Sequence, residues 1–495
     1  MSARCKGYLV TAPKDDEMIK KIRDNILSCH TDHESILVPA TRNYWLIAVV
    51  VSISVGLLAA TSGIEPTTDF LRHIREYDYR SFGGYGYMFP ESMFNHIGRY
   101  NPYYLFDSVV GWVSSFLGRE QTTSLFEGLC FSLYSFAIYW NIRPFQKRDG
   151  RLAVAASIAV GLFVCAMFCR VVQIRPVMFV SVFLCFLMPT RSFLIGLTAS
   201  LVIAGMHWLY FLYTIPVAIA HYISGSRRTS YGIIAGSVIA FGILLSVSDS
   251  QYIVILQNLL KVTKTDPALV CPEFLPPIWL IFQPSALAII YVFVDTLSKR
   301  PIKVDVYLIT LICFSPLCIQ HRFAHDQAIP LMMMYILHAR EDILFRYTYK
   351  RIIPILLCLS ISTMVFTFCY RAHVQDKELS VHQPAWLRSL DLPAGTRVYS
   401  NQSYTVLPLI YGNDAPLQIY PPLEPKLSDD KTTEMLSAKI ITSKRLDNNA
   451  CGFLSRHKID YVLTEAVVSA DCLVADQQDL TELSVVKLYK TKNIK

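Results

Sequence analysis

The sequence predicts an α-helical polytopic membrane protein of about eleven transmembrane helices, with a small C-terminal α/β soluble domain on the outer face. Three observations lead there. Only 17% of the 495 residues are charged while 53% are hydrophobic, and globular chains average about 25% charge. Residues 43–63 hold 21 positions without a charge, the length that crosses roughly 30 Å of hydrocarbon, and comparable runs follow. After Arg371 the pattern changes to alternating β-branched and aromatic residues separated by turn signals.

Residues 1–42 are polar and read as a cytoplasmic N-terminal segment, with a short surface helix over 14–27 and no cleavable signal. Within a transmembrane domain spanning 43–370, the apolar runs are 44–62, 122–141, 152–169, 176–189, 192–206, 208–223, 232–248, 277–296, 304–320, 327–338 and 353–370. The run 102–117 stands apart. It carries Asp107 at amphipathic spacing and ends at Gly118-Arg119-Glu120, which reads as a juxtamembrane helix lying at the interface.

The Lys/Arg-rich loops 143–151, 226–228, 298–303 and 338–351 fall after alternate runs, and the positive-inside bias puts them in the cytoplasm. An interfacial 102–117 preserves that alternation; a transmembrane one would reverse it. The outer loop 63–118 and the C-terminal domain 371–495 then share the outer side. The net charge of +8 is concentrated in these loops, where it sets orientation and does not point to nucleic acid. Most of the 13 cysteines stand singly in apolar runs, without zinc-site spacing. Cys451 and Cys472 both fall in the outer segment, where an oxidising compartment allows pairing; spacing alone leaves their connectivity open.

The chemistry concentrates where the first apolar run ends. In "EPTTDFLRHIREY", Asp69 shares a helix face with Arg72 three residues on and with His73 four residues on. A carboxylate beside cations at the membrane–water boundary suits a transferase with a lipid-phosphate donor. The cations hold charge that develops on the leaving phosphate, and the carboxylate takes a proton from an attacking hydroxyl. The same residues also suit an amphipathic helix snorkelling its cations among headgroups. The loop continues through an aromatic, Gly-rich stretch, 82–104, which carries Glu91 and is longer than ordinary connections. Arg170, Arg175, His207, His321, Arg322, His325 and Asp326 fall on the same side, which suggests one cationic pocket on the outer face.

In these motifs the chain resembles the GT-C superfamily of membrane glycosyltransferases, especially the branch of lipid A aminoarabinose transferases and protein O-mannosyltransferases. "TDFLRH" is similar to that branch's Asp-x-x-Arg-Tyr, with His73 in place of Tyr. "NPYYLFDSVVGWVSSFLGREQTTSLFEG" resembles its Pro-anchored juxtamembrane helix, Arg175-Pro176 its fourth-span start, His207 its fifth-span His, and "HRFAHDQAIPLMMM" its late Arg before a Pro-containing helix. The resemblance implies a GT-C-like fold that moves a sugar from a polyprenyl-phosphate donor to a glycan, lipid A-like or protein acceptor. It implies an integral protein of the bacterial inner membrane, with the N-terminus cytoplasmic and the C-terminal domain periplasmic. Asp69 would be the catalytic carboxylate. Arg72 would bind the donor phosphate, with His73, Arg175 and Arg322 as further phosphate ligands and Glu91, His207 and His321 as other pocket residues. Many relatives carry a second acid before a Lys-Pro or His-Pro, where this chain has Arg99-Tyr100-Asn101-Pro102; the ligands of any divalent metal are left unassigned.

Two alternatives compete. A lipid-linked polysaccharide polymerase would place a large Arg-rich loop between later spans, whereas the longest early loop here follows the first. A flippase or transporter would show internal repeats and midplane charges, and no clear repeat is evident.

Overall fold

The computed structural model describes residues 42–61, 68–82, 85–90, 103–143, 157, 159–161, 163–164, 166–167, 174–248, 252–257, 284–299, 302, 304–318, 324–339, 392–400, 409–410, 413, 415–420, 448–464, 472–479 and 487–491. The surface helix expected over 14–27, the run 353–370, and Glu91, His321 and Arg322 lie outside these residues, as do most of the basic loops.

The chain opens with helix α1 (Arg42–Ala60) and, after a break, the short charged helix α2 (Thr68–Asp78). Helices α3 (Tyr104–Leu117) and α4 (Arg119–Ile142) follow, separated only by Gly118. Its φ of 82° lies in the left-handed region that favours glycine, so this residue turns one helix into the next. Then come α5 (Pro176–Leu187), α6 (Phe193–Met206), α7 (Phe211–Ile223), α8 (Arg227–Val247), α9 (Pro284–Lys299), α10 (Val306–Phe314) and α11 (Ile329–Ala339).

Small residues set how closely these helices approach. In α8, Gly232 and Gly236 lie against the backbone carbonyls of Phe193 and Leu197 on α6, and Gly196 of α6 lies against Thr229 O. A Cβ at any of the three would fall within 2.5 Å of a backbone oxygen. Gly56 of α1 and Gly128 of α4 make a similar crossing. Such small-residue seams let helix backbones meet where bulk apolar packing does not drive association. Polar stitches add to them: Tyr307 Oη donates to Asn141 Oδ1 at 2.6 Å, and Asn141 Nδ2 donates to the Cys185 carbonyl at 2.9 Å.

The expected set of about eleven transmembrane helices is overturned. Among the described residues one helix, Arg227–Val247, is long and apolar enough to cross a membrane. The reason is length: the helices are short, and signals at the ends of the runs bound them. Pro176 starts α5, the Ser192 hydroxyl caps α6 and His207 ends it, and the Asp305 carboxylate caps α10. A helix of 12 residues, like α5, reaches only about 18 Å at 1.5 Å per residue, short of roughly 30 Å of hydrocarbon. Helix α4 has 24 residues but carries Arg119, Glu120 and Glu127.

The C-terminal segment contains β1 (Arg397–Ser400), β2 (Gln418–Tyr420), helix α12 (Asn448–Arg456), β3 (Tyr461–Thr464), β4 (Leu473–Asp479) and β5 (Lys487–Thr491). The strands form one sheet in the order β2-β1-β3-β5-β4. The first three are parallel, and β5 pairs antiparallel with β3 and β4. Cys451 on α12 is disulfide-bonded to Cys472 at the start of β4. Tyr79, Met88 and Phe89 from the region after α2 share a buried cluster with Leu392, Val398, Leu417, Ile419 and Leu463 of this segment, so the sheet packs against the residues that follow α2.

Helix α2 meets α3 at Gly111, where a Cβ would lie 2.0 Å from Tyr77 Cβ and 2.3 Å from its Cγ. Atoms so near a backbone cannot swing aside. Gly111→Ala is therefore expected to cost about 1–3 kcal/mol by overpacking, read as a lowered midpoint of thermal unfolding in detergent. An unchanged midpoint would show that the two helices separate freely.

Candidate functional site

Helix α2 has eleven residues and presents different chemistry on opposite sides. On one side Arg75 donates to the Ile410 carbonyl from Nε at 3.1 Å and to the Asn413 carbonyl from Nη2 at 2.8 Å, and pairs with Asp78 at 2.5 Å. Next to it Tyr79 Oη accepts the Leu417 N–H at 2.7 Å. These contacts fasten the helix to the C-terminal segment.

The other side turns into the helical bundle. Spacing of one turn brings Arg72 Nε to 3.2 Å from Glu76 Oε1. His73 Nδ1 lies 2.5 Å from Asp107 Oδ1 on α3, and His73 Nε2 lies 3.3 Å from Arg72 Nη2. The rings of Tyr103 and Phe106 stand edge-on to the imidazole at 5.1 and 5.2 Å. Arg72 also lies 5.5 Å from the Tyr103 ring centroid, within cation–π range. Of the four charged or titratable groups, Arg72 keeps 8% of its surface accessible, whereas Glu76 keeps 1% and His73 and Asp107 none.

Four such groups inside an apolar bundle are tolerable only if their charges cancel. Burial pushes the Glu76 carboxyl well above its ordinary range, the neighbouring Asp107 carboxylate and a hydrogen bond to it push it further, and Arg72 opposes the shift. The direction of that shift favours the neutral Glu76 carboxyl. Arg72 lies 3.2 Å from Glu76, so the guanidinium and the two carboxyl groups form one coupled set. A divalent metal, which the family resemblance raised, does not fit this arrangement. His73, Glu76 and Asp107 have ligand atoms within 4.8 Å of one another. His73 Nδ1 is engaged with Asp107 Oδ1, and the Arg72 guanidinium lies 3.2 Å from Glu76 Oε1, so a fixed cation already occupies the edge of the set.

Of the residues that sequence singled out, Arg72 and His73 are brought together, and His207 joins them through Tyr103. The His207 and Tyr103 rings lie 5.4 Å apart, and His207 Nδ1 accepts the Leu209 N–H. Arg175 caps α5 one turn before Phe179, whose ring is 5.5 Å from that of Phe106. Asp69 lies in the first turn of α2, with its side chain outside the described residues. Asp326 is buried in the turn Ala324–Ala328, where its carbonyl accepts from Ser181 Oγ. The partner that sequence reasoning missed is Asp107. Its signal was a lone carboxylate in an otherwise apolar helix. Glu76 gives no such signal, and its link to Asp107 needs the fold.

No protein-family model matches this chain, and no curated protein sequence matches it at a significant level.

A carboxyl whose folded pKa is raised contributes stability that is present below its ordinary value of 4.5 and is lost as pH rises through the folded value. Wild-type protein is expected to lose stability on going from pH 4.5 towards alkaline conditions, at up to about 1.4 kcal/mol per pH unit from this group. Glu76→Gln keeps a neutral hydrogen-bond donor at all pH and should flatten that part of the profile. Thermal unfolding across pH measures both; parallel profiles would mean that Glu76 is ionised in the fold.

Proposed function

We propose that this chain is a membrane-embedded glycosyltransferase that moves a sugar from a polyprenyl-phosphate donor to a glycan, lipid or protein acceptor on the outer face of a bacterial inner membrane. The observation that carries the reading is the position of Arg72. It is the least buried member of the charged cluster, keeping 8% of its surface, on the short helix that comes next in the chain after the apolar helix α1.

Further features support the membrane setting. Helix α1 exposes Leu46, Val50, Ile53, Leu57 and Leu58, and α8 exposes Ile234, Val238, Ile243 and Val247. Apolar faces of this extent mark contact with lipid or a partner. Helix α3 buries Phe106, Asp107 and Val110 while exposing Trp112, Phe116 and Leu117, a division that suits a helix lying at an interface. The Cys451–Cys472 disulfide suits an oxidising compartment such as the periplasm for the C-terminal segment, with the N-terminus cytoplasmic.

In this reaction the bond between the sugar C1 and the phosphate oxygen breaks and a bond from an acceptor hydroxyl oxygen to C1 forms. Asp69 takes the hydroxyl proton, and polyprenyl phosphate leaves with its negative charge against the Arg72 guanidinium. Direct attack inverts C1. Tyr103, next to Arg72, offers a ring face of the kind that packs on sugars.

General-base assistance supplies about 10²–10⁴-fold, so Asp69→Asn is expected to lower turnover by about that factor while leaving donor binding nearly intact. The measurement is consumption of lipid-linked sugar by purified, monodisperse protein against a panel of acceptors. Full turnover in Asp69→Asn would move the base elsewhere. Absence of consumption by wild-type protein with every donor and acceptor would remove the glycosyltransferase reading.

A further inference from the structure

We propose that Asp107 and His73 are positioning residues that orient the Arg72 guanidinium towards an incoming phosphate. This rests on the reading of Arg72 as the phosphate ligand. The inference follows from which atoms can donate. A guanidinium has five N–H donors and no acceptor, so the 3.3 Å contact with Arg72 Nη2 requires a lone pair on His73 Nε2. The ring proton of a neutral imidazole then sits on Nδ1, where it is donated to Asp107 Oδ1. Asp107 thus selects the tautomer, the tautomer makes Nε2 an acceptor, and the acceptor holds one arm of the guanidinium.

The rest of the cluster closes the arrangement. Glu76 lies at the Nε edge of Arg72, and the Tyr103 ring lies beside its central carbon. A flexible side chain is thereby held from three directions before any ligand arrives. Pre-ordering of this kind reduces the entropy lost when an anion binds. Arg72 keeps 8% of its surface, against 1% for Glu76 and none for His73 and Asp107, so His73 and Asp107 reach a phosphate through it. His73 is accordingly a positioning residue and not a phosphate ligand.

Substitutions at His73 separate the two halves of the ring. Gln places an acceptor oxygen near the position of Nε2, and Asn places a donor near that of Nδ1 without reaching Arg72. Asp107→Asn removes the carboxylate that fixes the ring proton on Nδ1: the new amide can donate to Nδ1, and the ring proton then moves to Nε2 against the guanidinium.

The experiment measures binding of a short-chain polyprenyl phosphate, with inorganic phosphate as a second arm, to full-length wild-type protein and the variants Arg72→Ala, His73→Gln, His73→Asn and Asp107→Asn. Monodispersity and unfolding midpoint are checked for each. His73→Gln is expected to bind near wild-type affinity, while the other three lose about tenfold or more, the loss expected when a charge-assisted hydrogen bond is removed or misdirected. The same order in the inorganic arm alone also supports positioning, and removes the lipid donor from the functional reading. Equal losses in His73→Gln and His73→Asn, or wild-type affinity in Asp107→Asn or Arg72→Ala, would overturn the proposal.

Discussion

The site depends on a short charged helix held on two sides at once. Arg75 reaches out of α2 to two backbone carbonyls of the C-terminal segment, while His73 reaches the other way to Asp107 on α3. Eleven residues of helix are too few to be stable in isolation, so tertiary contacts must supply the stability. The charged composition of α2 makes those contacts directional. Each guanidinium and imidazole has a fixed geometry, and together they set the rotation of the helix about its axis.

That rotation has an electrostatic consequence. It places His73 edge-on to Phe106, whose ring packs with Phe70 and Phe126, and buries His73, Glu76 and Asp107 almost completely. Uncompensated charge in such surroundings is costly. The pairing of Arg72 with Glu76 and of His73 with Asp107 reduces that cost, and burial beside Asp107 shifts Glu76 towards its neutral form.

The apolar runs illustrate how far hydrophobicity alone carries a fold. Depletion of charge correctly marks the helical segments, and the turn-rich alternation after Arg371 marks the region that contains the sheet. Counting runs as spans failed because hydropathy does not register helix ends. Pro176, Ser192 and Asp305 end or begin helices through a missing N–H or a capping oxygen, and each does so inside or beside an apolar stretch.

By itself the sequence determined that α2 would be charged and helical, that Arg72 and His73 would be neighbours on it, and that 102–117 would be an amphipathic helix bearing one carboxylate. Those are properties of spacing, readable because a helix repeats every 3.6 residues. Only the tertiary structure decided that Asp107 meets His73 across 34 positions of chain, that Glu76 is hydrogen-bonded to Asp107, and that Cys451 bonds to Cys472. The close approach at Gly111, where the absent side chain lets α3 lie against Tyr77, brings those acids together. Local periodicity says which face a residue occupies; which other face it meets depends on how closely two backbones pack.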